Sequence, residues 1–298
     1  MKRERSNFTI LIIWMLLMAA GTAVAFVVWA LLTDRVSTGS LKWLQALQVL
    51  GLFIAPALSV AWITQDEPKK WLGLDVCPKG KVFAMAAGVM ILLLPGINLL
   101  SYLNQQLQMP AFLHGLEEWM KQMEEQNGAL LQRFLDDRSI SGFIINLGLM
   151  ALLPAIGEEL AFRGVLQRML TPKNAMNTEN TTPHTAIWLT AFIFSFVHFQ
   201  FYGFVPRMLM GALFGYVLWW TGSLWVTMLM HATNNAAAIV CYFVCYRRGY
   251  ATDALDSFGS GDTLWLGIMS LVIGGVAIYL LRRSLTMSSA SSRTSAGS

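Results

Sequence analysis

Apolar runs of about twenty residues recur along this sequence, the length that carries a helix across the hydrocarbon core of a bilayer. In lipid every backbone N–H and C=O must be satisfied within the chain, so such runs fold as helices rather than as loops or open strands. Eight segments qualify: 8–32, 44–64, 82–103, 141–170, 184–201, 205–221, 224–246 and 263–281. Two of them, 184–201 and 205–221, are short and lie only a few residues apart. Hydrophobic residues make up 55% of the 298 positions and charged residues 13%, a balance that excludes an ordinary soluble domain. The expected fold class is all-α: a polytopic membrane protein of about eight transmembrane helices. The first run is longer than a secretory apolar region and lacks a small-residue cleavage site, so it reads as a retained span.

Charge placement sets the expected orientation. Lys2, Arg3 and Arg5 precede the first span, Lys69, Lys70, Lys79 and Lys81 follow the second, Lys173 follows the fourth, and Arg282 and Arg283 follow the last. Alternating crossings put all of these on one side, expected cytoplasmic, with both termini there; Arg207, Arg247 and Arg248 fall on the other side and count against it. The same outer side receives 104–138, with six acidic and three basic residues. Within it, 113–135 carries apolar residues at helical spacing and reads as a surface helix, a solvated connector in preference to a lid. One membrane domain, 1–283, is expected, with its motif core at 141–246 and a disordered Ser-rich tail at 284–298. Basic flanks of this kind suit a lipid surface, expected to be a bacterial inner membrane; no basic tract interleaved with aromatics points to nucleic acid. Cys77, Cys241 and Cys245 form no disulfide framework and read as small packing residues.

Function is concentrated in the polar residues inside the apolar runs. Glu158, Glu159 and Arg163 interrupt the fourth run, where one charge at mid-membrane costs about 2.5–3.5 kcal/mol. On a helix Glu159 and Arg163 lie four apart on one face, acid before base, the favourable order for an ion pair. Glu158 is rotated about 100° from Glu159, which leaves it without that cation and suits it to general-base work. Pro154, four residues earlier, frees the carbonyl of Met150 and should kink the helix. A buried pair that only fixes packing would explain Glu159 and Arg163 but not the second acid. The fifth run contains Phe194 and His198, and the seventh contains His231 and Asn235, again four apart and able to aim two donors at one point. Two such donors suit a developing oxyanion. His114 and His184 lie at span boundaries and read as incidental. Ser195 has no clear base partner, which argues against an acyl-enzyme.

Glu-Glu-x-x-x-Arg (Glu158, Glu159, Arg163), Phe-x-x-x-His (Phe194, His198) and His-x-x-x-Asn (His231, Asn235), in this order on three spans, resemble the CPBP family. These are the CAAX proteases and bacteriocin-processing enzymes, also called the Abi family, among them the eukaryotic type II CAAX prenyl endopeptidase. The resemblance covers 141–246. It implies an intramembrane glutamate endopeptidase acting on membrane-associated protein or peptide substrates without a cofactor. Glu158 would activate water with help from His198, and His231 with Asn235 would bind the oxyanion. Glu159 and Arg163 would support the site, and Phe194 would pack beside it.

Three other readings remain open. A zinc protease could use Glu158, His198 and His231 as ligands, although no His-Glu-x-x-His helix is present. A scaffold or bacteriocin-immunity protein could use the same cavity without catalysis. Intramembrane Glu and His also mark proton-coupled transporters, a reading weakened by the absence of an internal repeat.

Overall fold

The computed structural model describes residues 6–107, 110, 112, 114–172, 182–250 and 258–295. All regular structure among them is helical. The first helix, α1 (Asn7–Leu32), starts where Ser6 Oγ accepts the Thr9 amide at 3.1 Å. Next comes α2 (Thr38–Thr64), opened by a reciprocal cap in which Ser37 Oγ accepts Ser40 N at 3.1 Å and Ser40 Oγ accepts Ser37 N at 2.8 Å. A one-turn helix, α3 (Pro68–Leu72), ends at Gly73, whose φ of 76° suits a residue without a side chain. There follow α4 (Gly80–Gln105), α5 (His114–Leu135), α6 (Ile140–Leu170), α7 (His184–Phe196), α8 (Phe204–Thr221), α9 (Leu224–Arg248) and α10 (Leu264–Ser295).

Among the described residues, seven helices are long and apolar enough to cross a membrane: α1, α2, α4, α6, α8 with the turn before it, α9, and Gly261–Thr286 at and within α10. The protein is a polytopic, all-helical membrane protein. Large apolar side chains such as Phe8, Leu31, Trp62, Ile91, Ile144 and Val272 point outward, the arrangement expected where lipid replaces water. The expected fifth span, 184–201, departs from this pattern. Its helix α7 stops at Phe196 after 13 residues, about 20 Å at 1.5 Å per residue. Beyond it Phe199 takes a φ of 51°, which breaks the helix and turns the chain. The boundary at 201 is therefore wrong by five residues, and the segment that follows His198 is a turn. Lys173 lies outside the described residues. The expected tail, 284–298, is described only in part: the helix backbone reaches Ser295, while the side chains of 287–295 and all of 296–298 lie outside the description.

α6 runs through the centre of the fold. Every residue from Glu159 to Leu166 is buried. Leu160, Phe162 and Val165 pack with Trp14 of α1, Val60 of α2, Leu72 of α3, Phe194 of α7 and Met228 of α9 in one apolar cluster. α10 lies along α4, α7 along α8, and α9 touches both α4 and α6. α6 is not a plain α-helix. It widens into π geometry at Leu147–Leu152 and again at Glu159–Leu166, with α-helix between them at Leu153–Glu158. Pro154 explains the first widening, since it removes one N–H and its ring crowds the preceding turn.

Candidate functional site

Glu158 closes the α-helical piece of α6 and Glu159 opens the second π segment. This places the two adjacent carboxylates on different sides of the helix. Glu159 turns into the protein. Arg163 Nη1 donates to Glu159 Oε1 at 2.8 Å, and both side chains are fully buried. Arg163 Nη2 also donates to the Gly211 carbonyl of α8 at 3.1 Å. Its guanidinium lies over the Phe194 ring, 4.3 Å from the centroid, and 5.3 Å from that of Phe214. Cation–π contacts of this desolvated kind contribute about 2 kcal/mol each.

The structure brings both intramembrane histidines to Glu158. His198 Nε2 stands 3.5 Å and His231 Nε2 3.7 Å from Glu158 Oε2. Two imidazole nitrogens thus face the Glu158 carboxylate. The carboxylate is 13% exposed, against 25% for His198 and 8% for His231. Their rings are oriented from behind. His198 Nδ1 is 2.6 Å from the Phe194 carbonyl, one turn earlier on the same chain. A carbonyl only accepts, so Nδ1 carries the hydrogen. His231 Nδ1 is 3.0 Å from Glu159 Oε1, the oxygen that also accepts Arg163. Nδ1 of His231 is likewise the donor. Neutral rings held this way point Nε2 lone pairs at Glu158, so two acceptor nitrogens and a carboxylate face one another. The arrangement calls for a shared proton or for a bridging donor such as water.

Phe194 packs edge-on against His198, His231 and Phe162, with centroid distances of 4.8, 5.9 and 5.1 Å. Phe214 of α8 stacks on His231 at 5.4 Å, a contact with no counterpart in the sequence motifs. Asn235 lies one turn beyond His231 on α9; its Oδ1 accepts from Asn234 Nδ2 at 3.3 Å, so its hydrogen bond is to a neighbour and not to the carboxylate cluster. Ser195 donates to the Phe204 carbonyl at 2.7 Å and is 1% exposed, which commits its hydroxyl to the backbone. His184 pairs with Tyr216 at 2.6 Å, and His114 approaches Glu118 of α5 at 3.4 Å, both away from this cluster. Among the described residues, no group of three or more His, Cys, Asp or Glu side chains is spaced to hold a metal ion.

Residues 140–237, which carry all three motifs, match the family model described as Rce1-like, type II CAAX prenyl endopeptidase Rce1-like. The resemblance first read from seven residues is thus shown for the segment that builds the site. Among curated proteins, the uncharacterised protein YpbD of Bacillus subtilis (strain 168) is 28% identical over 135 residues, 44% of this chain and 59% of that relative. The match spans less than two thirds of YpbD. No solved structure matches the chain.

Proposed function

We propose that this protein is an intramembrane endopeptidase that hydrolyses peptide bonds of membrane-associated proteins or peptides, with Glu158 as general base. The observation that supports it most is the convergence of two imidazole Nε2 atoms, each fixed through Nδ1, on one carboxylate oxygen. The Rce1-like match over 140–237 favours proteolysis over transport or a purely scaffolding role.

In this reading a water between Glu158 and His198 gives up a proton to the pair as its oxygen bonds the scissile carbonyl carbon. The C–O π electrons move to oxygen, and the tetrahedral anion is met by His231 and by the Asn235 amide. His231 donates from Nε2 as an imidazolium, carrying the proton it shares with Glu158 in the resting site, because its Nδ1 hydrogen is already committed to Glu159. The Glu159 carboxylate behind the ring offsets part of that charge, being shared with Arg163, and the tetrahedral oxyanion in front of the ring supplies the second negative charge. Collapse of the intermediate breaks the C–N bond, and the proton held by the Glu158–His198 pair passes to the leaving amine. Donors placed in this way are worth about 2.7–4 kcal/mol each in related chemistry.

The test is cleavage of a fluorogenic and membrane-peptide panel, prenylated CAAX peptides included, by purified wild type and by the Glu158→Gln, His198→Ala and His231→Ala variants. Each would be assayed with and without a chelator. Chelator-resistant cleavage that falls at least ~100-fold in all three folded variants is the expected result. Full activity in Glu158→Gln would remove the glutamate mechanism. Loss on chelation, restored by zinc, would replace it with a metal mechanism.

A further inference from the structure

Outside the three motifs, an arginine grips the turn that follows His198. Arg207, in the first turn of α8, donates from Nη1 to the Gln200 carbonyl at 3.1 Å and from Nη2 to Gln200 Oε1 at 2.6 Å. One guanidinium thus holds both the backbone and the side chain of a residue two positions beyond His198. A rigid planar fork bonded at two points fixes orientation as well as distance, which a lysine ammonium does less well. Between His198 and Gln200 stands Phe199, with a φ of 51°. A bulky residue seldom takes that conformation, and it persists where the surroundings over-determine it.

The surroundings of this turn are specific. Asn104 of α4 donates to the Phe201 carbonyl at 2.7 Å and accepts the Val205 amide at 3.3 Å. Trp119 of α5 packs against Phe199 and Phe201 with centroids 6.0 and 5.9 Å apart. The Arg207 charge lies within electrostatic reach of Glu124 of α5 and of Glu158.

We propose that Arg207 is a positioning residue of this site: by clamping Gln200 it holds the Phe199 turn in the conformation that points His198 Nε2 at Glu158. Its catalytic consequence rests on the endopeptidase reading above; its structural consequence does not. Two experiments separate them. In the first, histidine 15N NMR of the detergent-solubilised full chain is compared for wild type, Arg207→Ala and Gln200→Ala. The expected result is a His198 signal of the Nδ1-protonated form in wild type, giving way to a tautomer mixture in both variants. An unchanged His198 signal in Gln200→Ala and Arg207→Ala overturns the proposal whether or not the protein cleaves anything.

In the second, kinetics use the panel peptide that wild type cleaves fastest. Arg207→Ala should lower kcat about 10–100-fold, the scale of a misplaced catalytic group, with KM little changed. Arg207→Lys should recover part of that loss, and Arg207→Ala combined with Gln200→Ala should fall no further than Arg207→Ala alone. Should Arg207→Ala fail to fold, Arg207→Met decides in its place, since Gln200→Ala alone leaves the Nη1 bond to the residue 200 carbonyl. Unchanged kcat in the folded Arg207 variant, or Arg207 and Gln200 losses that simply add, would refute the clamp while leaving the Glu158 result standing.

Discussion

Glu159 Oε1 accepts two donors at once, Arg163 Nη1 at 2.8 Å and His231 Nδ1 at 3.0 Å, so it serves both the packing of α6 and the orientation of His231. These two roles can be pulled apart. Arg163→Ala leaves a fully buried carboxylate without its cation and should cost about 3–5 kcal/mol, read as a loss of thermal stability in detergent. The double variant Glu159→Gln with Arg163→Met removes both charges and should recover most of that stability, since buried ion pairs often gain little over apolar replacements. Cleavage should not return with it, because His231 then lacks the anion that orders its ring. Recovery of both would make the pair structural only. The sequence showed these residues clearly, because charges inside an apolar run have few reasons to be there and helical spacing pairs Glu159 with Arg163. It did not show Arg207 at Gln200, nor Phe214 on His231, because those contacts are made by turn and tertiary geometry that no periodicity encodes.

Between elements, legibility followed apolar length. The seven long helices were readable as continuous runs, whereas α7 was overextended because Val197, Phe199 and Phe201 look as apolar as helix and only the backbone at Phe199 ends it. The π segments of α6 were hidden for a related reason: Pro154 announces a disturbance but not its form. Helix contact gives a sharper case at α1 and α2. A Cβ built on Gly21 would collide with the Gly51 carbonyl oxygen, and one on Gly51 with the Gly21 carbonyl oxygen. Two backbones touch here, and neither can move aside as a side chain does. Small residues at such crossings are how apolar helices gain packing in lipid. Gly51→Leu should therefore separate α1 from α2 and destabilise the protein by about 1–3 kcal/mol, the range for overpacking. Gly88→Leu, with nothing within 4 Å of its Cβ position, is the matched control and should leave melting unchanged. Equal melting of the two variants would show that the Gly21–Gly51 contact carries no such load.

Across the whole molecule, α7 sets the parity of the membrane crossings. Seven full-length helices would place the termini on opposite sides of a membrane; an eighth crossing by α7 would bring them to one side. Contacts at its two ends argue that α7 does cross despite its length. Asn7, at the start of α1, donates to the Met169 carbonyl near the end of α6, so the N-terminus and the end of α6 share a side. α7 follows that end in sequence. Its far end turns at Phe199 into contact with Trp119 of α5, and α5 directly precedes the opposite end of α6. α7 thus begins at one end of α6 and finishes at the other, with the 197–203 turn completing the passage. With α7 crossing, the basic flanks Lys69, Lys70, Lys79 and Lys81 would share a side with the start of α1 and the end of α10, the side for which a cytoplasmic orientation is the prediction. Two native cysteines read this out. Cys77 lies in the loop before α4, exposed, and Cys245 lies in the last turns of α9, half-buried. Five crossings separate them if α7 spans, four if it re-enters. In a Cys241→Ala background, a membrane-impermeant maleimide should label Cys245 in intact expressing cells and reach Cys77 only after permeabilisation. Labelling of both from outside, or of neither, would mean that α7 turns back and that the termini face opposite sides.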